Sequence, residues 1–568
     1  MTFICSRRWL RLPSTAALAL CFQIRTILGW KATWRLPADM PSQHKHQRYG
    51  RSLYMMTSTL ESPSSAPPDI DSSASKPSST VIVGGGPAGL ATALMLARRG
   101  YSSIRVYERL EEPPKPSSSE WGNPERSYNL GLGSRGQISL AELGVAEKVF
   151  SWCANAVGRM DWTPEAPEGT ERIYTKRKYI TKVIARDRLT SCLLEEAREN
   201  YSNAIKVEFG VECTEAEWHE ATGAQGATLT LVKKSSGDIF QARADLVVGA
   251  DGVNSAIRDG LEKEVRLVTR LSGRALRVKR FSRKNEFVYK VIPFTLKAGC
   301  RTDLNYSHRT KEGINLEALP TKEGTQVGVL LFRPDNQRVL GLKSAADARA
   351  LFEDLFPPLV EMSLFSEESY ERLVAQSVSR LPSFSYTGPV LHLGRSAVLL
   401  GDAIKSVKPY FGLGANSALQ DCMILGRCLD ETGDDLSQAL PRYSRERAPE
   451  AKDLVELSRG FDRTGLKGFF GFIVPLILDS ICHKLFPRVF APNTIAFLQR
   501  SDYSFRQIRL RKALDRMTQG VLLATLAVLV VSATKSSIGV ASTRPVWAAL
   551  NSAVVALFAK VTPISTVH

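Results

Sequence analysis

The stretch Val81-Ile82-Val83-Gly84-Gly85-Gly86-Pro87-Ala88-Gly89-Leu90 decides the fold. Three apolar β-formers run into a glycine turn, and apolar residues at helical spacing follow (Leu90, Ala93, Leu94, Leu96, Ala97). This is the strand–turn–helix context in which a G-x-G-x-x-G series holds a dinucleotide. Gly84 permits the tight turn, Gly86 lets the backbone approach a pyrophosphate, and Gly89 lets the helix pack close on the strand. The pyrophosphate would lie on free N–H groups at the helix N-terminus, where the helix dipole favours negative charge. A second apolar run, Ser103–Arg109, brings Glu108 to the distance at which a carboxylate accepts hydrogen bonds from a ribose diol. A glycine-rich loop without a ligand would share the glycines, but not the strand, helix and acid at these spacings.

Two later pieces repeat the theme of a buried strand ending in an acid. Asp245-Leu-Val-Val-Gly-Ala-Asp251-Gly252 is followed by Ser255 and Arg258 at a helix start. Ala397-Val-Leu-Leu-Gly401-Asp402-Ala403 is followed by the loop Lys408–Asn416, whose glycines open a long helix through Ala418, Leu419, Met423 and Leu425. Each piece alone reads as a capped strand end; three in order read as one nucleotide-binding unit. Between them, residues 137–215 read mostly as helices, including the pattern Leu189, Leu193, Leu194, Ala197. Residues 265–335 read as β-rich, with strands at Phe287–Ile292 and Val327–Phe332 that could build a separate sheet over a substrate.

The 568 residues suffice for two or three domains. The net charge of +18 comes from 75 basic and 57 acidic residues. No compact Lys/Arg block with interleaved aromatics is present, so the charge reads as targeting and membrane-surface charge rather than a nucleic-acid site. The nine cysteines are scattered, odd in number and without a C-x-x-C pair, which excludes a disulfide framework and a zinc site and leaves reduced thiols. The seven histidines form no ligand cluster at recognised spacing, so no metal is expected. Residues 1–60 are basic with a single acid, Asp39, and read as an organelle transit segment. For the short apolar run Ala16–Phe22, a signal-peptide core and the first half of a bipartite plastid signal are open alternatives. Residues 61–79 are a Ser/Pro linker. At the other end, Arg506, Arg509, Arg511, Lys512 and Arg516 precede the uncharged Gly520–Ala533, and Val546–Ala559 is a second apolar run. Basic flank and apolar run together predict a membrane anchor over 517–568, although Met517–Ala533 is slightly short of a span.

With these pieces assembled, the chain resembles the FAD-dependent aromatic hydroxylases of the para-hydroxybenzoate hydroxylase class, and within it the kynurenine 3-monooxygenase family. The resemblance runs over roughly residues 80–535. It is carried by Gly84–Gly89, Glu108-Arg109, Arg126-Ser-Tyr-Asn-Leu-Gly-Leu, Ala185-Arg186-Asp-Arg-Leu, Asp251-Gly252, Leu316-Glu-Ala-Leu-Pro320, Gly401-Asp402, Pro409–Cys422 and Phe486-Pro-Arg-Val-Phe-Ala-Pro492. It implies an α/β fold: a Rossmann-type FAD-binding domain (80–265 with 380–435), an inserted β-sheet substrate domain (266–379), a helical C-terminal region (436–516) and the anchor.

The resemblance also implies roles. Gly84, Gly86 and Gly89 would hold the FAD pyrophosphate, Glu108 the adenosine ribose with Arg109 beside it, and Arg186 the flavin side. Asp251 and Gly252 would touch FAD and leave an approach for NADPH. Asp402 would bind the ribityl chain, and Gly414, Ala415 and Asn416 would face the isoalloxazine. Arg159 would pair with a substrate carboxylate, for which a guanidinium fork offers two charged hydrogen bonds, and Tyr174 would contact the substrate. The implied reaction is NADPH- and dioxygen-dependent hydroxylation of an aromatic ring, that of kynurenine first, at an organelle membrane, the mitochondrial outer membrane ahead of a plastid. The family's Ala-His, Gly-Gln-Gly and Glu-Asp-Cys stand here as Ile404-Lys405, Gly412-Leu413-Gly414 and Gln420-Asp421-Cys422, and two substrate-side positions fall at Phe461 and Thr494. These departures keep open two other readings: a hydroxylase or epoxidase of a membrane lipid such as a quinone precursor or isoprenoid, and a flavin-binding module without hydroxylation.

Overall fold

Thr80–Val83 is the hinge of the first sheet, a wholly buried strand with neighbours on both sides. The computed structural model describes residues 76–118, 128–175, 177–219, 225–268, 276–281, 287–409, 412–460 and 468–537. The expected transit segment, the run Val546–Ala559 and Phe461 therefore lie outside the described residues, as does nearly all of the linker. Across the first sheet the order is His392–Leu393, Ala397–Leu399, Leu246–Gly249, Thr80–Val83, Ile104–Glu108 and Ile205–Phe209. All pairs are parallel except the edge hairpin His392–Leu393/Ala397–Leu399. From Thr80–Val83 the chain goes first to one flank (Ile104–Glu108) and later to the other (Leu246–Gly249). The three acid-ended pieces thus lie side by side, with their carboxyl ends opening on one crevice at the switch point, where such sheets bind ligands.

A second sheet has eight strands. Its order is Ser363–Leu364, Val288–Leu296, Thr325–Phe332, Asn315–Pro320, Leu304–Arg309, Gly158–Thr163 and Ala166–Ile173, with Ser379–Arg380 also paired to Val288–Leu296. The expected strands at 287–292 and 327–332 are present. The helical reading of 137–215 is corrected: Ala154–Ala156, Gly158–Thr163, Ala166–Ile173 and Thr181–Ala185 are strands, and two of them extend this second sheet. The physical reason is visible in Ala166–Ile173, which has no buried residue and so lacks the apolar alternation that marks a strand in sequence.

The two faces of the second sheet differ. Asn315–Pro320 and Thr325–Phe332 both alternate half-buried with buried residues. Leu316, Ala318, Leu330 and Phe332 join Phe352, Phe356 and Tyr370 in an apolar core under the helices that follow. The other face carries Arg159, Asp161, Asn305, Ser307, Glu317, Val327 and Val329, which the strand register places together. Asn129, on a short strand of the nucleotide-binding half, donates to Leu319 O and Pro320 O at 3.3 Å and ties the two halves together.

The C-terminal region is helical, ending in the 33-residue helix Phe505–Ser537. Among the described residues no helix is long and apolar enough to cross a membrane. Of the expected anchor over 517–568, the described part therefore carries no span, and residues 538–568 lie outside the described residues. Gly520–Ala533 makes only about 21 Å of helix against about 30 Å of hydrocarbon. Part of the supposed basic flank is also engaged within the protein: Arg516 makes a two-pronged pair with Asp479 at 2.7 and 2.8 Å, and Lys512 lies 3.1 Å from both Asp479 and Asp515.

Candidate active site

The fingerprint glycines answer to steric facts. Gly84 has φ +105°, and a Cβ there would stand 2.4 Å from Ala250 O. A Cβ on Gly89 would stand 1.9 Å from Gly84 O, so only glycine lets the helix Pro87–Arg98 sit this close to its strand. Gly86 differs: a Cβ there would meet only Arg186 Nη2, at 3.7 Å, so its neighbourhood is open. The helix has no side-chain cap at its N-terminus, which leaves first-turn N–H groups for an anion.

Around this turn the structure gathers most of the expected FAD contacts. Glu108 Oε2 accepts from Gly85 N at 2.7 Å and Oε1 from Leu110 N at 2.9 Å, which fixes the carboxylate at the end of its strand. Each oxygen keeps a lone pair for a ribose hydroxyl. Arg109 is exposed beside it. Asp251 accepts from Ile257 N at 3.2 Å through Oδ2, while its buried Oδ1 has no partner among the described residues. Gly252 follows with φ +80°. Desolvation raises the Asp251 carboxyl above the usual range, against hydrogen bonds from Ser255 and the backbone.

Asp402 lies in the short 3-10 turn Gly401–Ala403 and is exposed toward the crevice. The surrounding protein still desolvates it and pushes its carboxyl up, while Lys405 and Arg186 pull it down. A Cβ on Gly414 would come within 4.0 Å of its Oδ1. The buried phenol of Tyr128 feels Arg186, Asp402 and Tyr289, which marks these four as neighbours around one space. Asn416 is turned to the backbone: Oδ1 accepts from Gly133 N at 2.8 Å and Gly136 N at 3.1 Å, and Nδ2 donates to Gly131 O at 2.8 Å. Its side chain staples the helix Leu413–Glu431 to the adjoining turn.

The crevice therefore offers backbone donors at a helix start, a ribose-height carboxylate, an orphaned carboxylate oxygen and an open glycine. That donor set fits FAD. Residues 78–279 and 364–458, more than half of the chain, match the model of the FAD binding domain family. The chain belongs to that family. Kynurenine 3-monooxygenase of Anopheles gambiae is 27% identical, with 80% of this chain and 89% of that protein covered. The Sus scrofa kynurenine 3-monooxygenase is also 27% identical over 78% and 88%, and that of Salinispora arenicola 28% identical over 79% and 95%. Among solved structures, a 2-methyl-3-hydroxypyridine-5-carboxylic acid oxygenase shares the fold with TM-score 0.51 at 19% identity, over 74% of this chain and 100% of that one. HpxO of Klebsiella pneumoniae, solved with FAD, gives 0.50 at 18% over 76% and 96%. The chain is a FAD-dependent monooxygenase.

On the open face of the second sheet, Arg159 and Tyr174 come together, the Tyr174 phenol being close enough to act on the Arg159 guanidinium. The Arg177 guanidinium stacks on the Tyr174 ring, 3.7 Å from its centroid. Tyr174 also lines a cavity of about 320 Å³ with Ile173, Tyr179 and Ile180. Sequence reasoning missed the partners of Arg159. Its Nε donates to Asp161 Oδ1 at 2.7 Å, its Nη2 lies 2.5 Å from the same oxygen, and Glu317 Oε2 stands 3.7 Å from Nη2. A second missed cluster lies behind Asp402. Asp421 accepts from Gly401 N at 3.0 Å and Arg447 Nε at 2.8 Å and pairs with Lys405, all three side chains being at most 2% exposed. Lys405 falls where the family's Ala-His gives way to Ile404-Lys405, which was the one available signal; Asp421 keeps the motif's own residue, next to the departure at Gln420.

Proposed function

We propose that the chain uses NADPH and dioxygen to hydroxylate kynurenine. The observation that carries the reading is Arg159 beside Tyr174 on the open face of the second sheet, which supplies a cation for a carboxylate and a phenol for a hydrogen bond. The kynurenine 3-monooxygenases, similar over most of their length, support it. When bound, FAD supplies reduction by the nicotinamide donor and activation of oxygen. The chain's own residues do the rest. Gly84–Gly89 and Glu108 hold the adenosine diphosphate half, Asp402 and Arg186 flank the ribityl and flavin half, and Gly414–Asn416 border the ring with their backbone. Asn129 fixes the substrate sheet against this half, which helps keep water from the reacting ring. We take 80–265 with 380–435 as the FAD-binding domain and 266–379 as the substrate domain, with Gly158–Ile173 lent to the latter. The test is a product assay with NADPH, oxygen and a panel of kynurenine and prenylated rings. Substrate-stimulated NADPH oxidation with 3-hydroxykynurenine as product supports the reading; turnover of prenylated rings alone would replace it by the lipid-ring alternative, which the row Leu319, Val327 and Val329 on the same face favours.

We further propose attachment to the surface of an organelle membrane, mitochondrial outer membrane first. Ile473, Ile477, Ile481 and Leu485 are exposed at four-residue spacing along one helical stripe, beside exposed Phe470, Phe486 and Val489. Such a stripe suits an interfacial helix lying on lipid. Truncation after Asn493 would leave that stripe in place and remove the helices Thr494–Leu498 and Phe505–Ser537 with everything beyond, so retention in the membrane fraction supports surface contact and release supports the C-terminal run.

A further inference from the structure

We propose that Glu317 holds a positively charged amino group of the substrate, next to the Arg159 handle for a carboxylate, so that the site takes an aromatic α-amino acid as its zwitterion. The inference rests on the kynurenine reading for the position of the substrate, and it adds a recognition element that neither the glycine fingerprint nor the arginine implies.

The argument begins with charge. Arg159 is answered within the protein by Asp161, which accepts from its Nε at 2.7 Å and lies near Nη2 without a hydrogen bond to it. Glu317 is a second carboxylate for the same cation, farther away at 3.7 Å and only loosely held by it, while the cation opposite Arg159 on the neighbouring strand, Arg172, is exposed. Arg309 acts on Glu317 too, but from an exposed position where water screens it. Glu317 Oε1 accepts from Ser307 Oγ at 2.7 Å, which leaves Oε2 the freer oxygen. Its side chain is 40% exposed although protein surrounds it, and burial raises its carboxyl above the usual range. A carboxylate so placed gains from a cation arriving in the cleft.

A second acceptor lies beside it. Asn305 is the register partner of Arg159 on the neighbouring strand, on the same face as Ser307. Its buried Oδ1 has no partner among the described residues. A buried amide oxygen without a donor is costly. An ammonium group has three donors and no acceptor, so it would satisfy Glu317 Oε2 and Asn305 Oδ1 together. The adjacent Arg159 Nη2 is buried with no hydrogen-bond partner among the described residues and is left for the substrate carboxylate.

The test titrates FAD-loaded wild type and Glu317→Gln with three ligands, followed by the flavin absorbance change. The ligands are kynurenine, kynuramine (which lacks the carboxylate) and the desamino analogue (which lacks the α-amino group). Glutamine keeps the acceptor for Ser307 and removes the charge. Glu317→Gln should weaken kynurenine and kynuramine about tenfold or more and leave the desamino analogue within about twofold. Glu317→Asp, which keeps the charge, should recover part of the loss. An equal effect of Glu317→Gln on all three ligands, or none on any, overturns the amino handle. If the wild type binds kynuramine through Glu317 but never hydroxylates kynurenine, the handle stands and the kynurenine reading falls. If kynurenine is hydroxylated and binds no better than the desamino analogue, the reading stands and the handle falls. Wild type that binds none of the three overturns both.

Discussion

Two desolvated clusters of acid and base, one around Asp421 and one around Arg159, behave oppositely. Around Asp421 the set is closed: Lys405, Arg447 and Gly401 N use both carboxylate oxygens, and the three side chains have essentially no contact with water. Around Arg159 the set is open: Asp161 is nearly buried, but Glu317 looks into the cleft with one oxygen only loosely paired. Desolvation is common to both. What separates them is completeness of pairing. A closed cluster fixes the Gly401–Ala403 turn under Asp402 and has nothing to offer a ligand, whereas an open one retains unused donors and acceptors.

The largest expected effect breaks the closed cluster. Asp421→Ala leaves Lys405 and Arg447 buried without a counter-charge, which costs about 3–5 kcal/mol. Chemical denaturation should show a matching loss, with FAD lost as the Asp402 turn loosens. A variant as stable as wild type would mean that the closed cluster holds nothing.

Next comes the flavin floor, where stability and binding should separate. Gly86→Val has room in the apoprotein, because a Cβ there meets only the flexible end of Arg186. The new side chain would project into the pyrophosphate space, so the protein should fold and purify colourless. Gly89→Val, with its Cβ 1.9 Å from Gly84 O, should fail to fold soundly. Circular dichroism and flavin absorbance on the two variants distinguish these outcomes; a yellow Gly86→Val protein would place the pyrophosphate elsewhere.

Smaller effects belong to the open cluster. Arg159→Lys keeps a charge but loses the planar fork shared with Asp161, and about 2 kcal/mol of substrate binding should go, read as a raised KM for kynurenine with FAD retained. Full removal of Arg159 is a poorer probe, since it leaves Asp161 and Glu317 repelling each other. Tyr174→Phe should cost only about 0.5–1.5 kcal/mol, also in KM. A fall in kcat without a change in KM for either variant would move these residues from binding to the reaction itself.

The contrast also explains what the sequence made legible. The nucleotide half is local: Gly84, Gly86, Gly89 and Glu108 lie within one strand–helix–strand unit, and their roles follow from backbone sterics and short spacing. Four of the six strands of that sheet could be anticipated, each from an apolar run; His392–Leu393 was not read, and Ile205–Phe209, only partly buried, fell within the stretch read mostly as helices. On the open face of the second sheet only Arg159 and Tyr174 could be named, through the resemblance; Asn305 and Glu317 could not, because they come from strands far from Arg159 in the chain and meet it only through register. The half-buried strands Gly158–Thr163 and Ala166–Ile173 were read as helical for the same reason, since a face turned toward a cleft carries no apolar alternation. Lys405 stood out only as a residue where the motif differed; its pairing with Asp421 required the fold. The C-terminal basic run looked like a membrane flank because sequence does not reveal that Lys512 and Arg516 are already paired with Asp479.

The most direct measurement is a thermal melt of FAD-loaded wild type, Glu317→Gln and Asp421→Ala, each with and without saturating kynurenine. The account predicts that ligand-free Glu317→Gln melts within about 0.5 kcal/mol equivalent of wild type while its kynurenine-induced rise in Tm largely disappears, and that Asp421→Ala melts far lower before any ligand is added. A Glu317→Gln protein that melts as low as Asp421→Ala, with its ligand-induced rise intact, would contradict the account by making the open cluster a structural one.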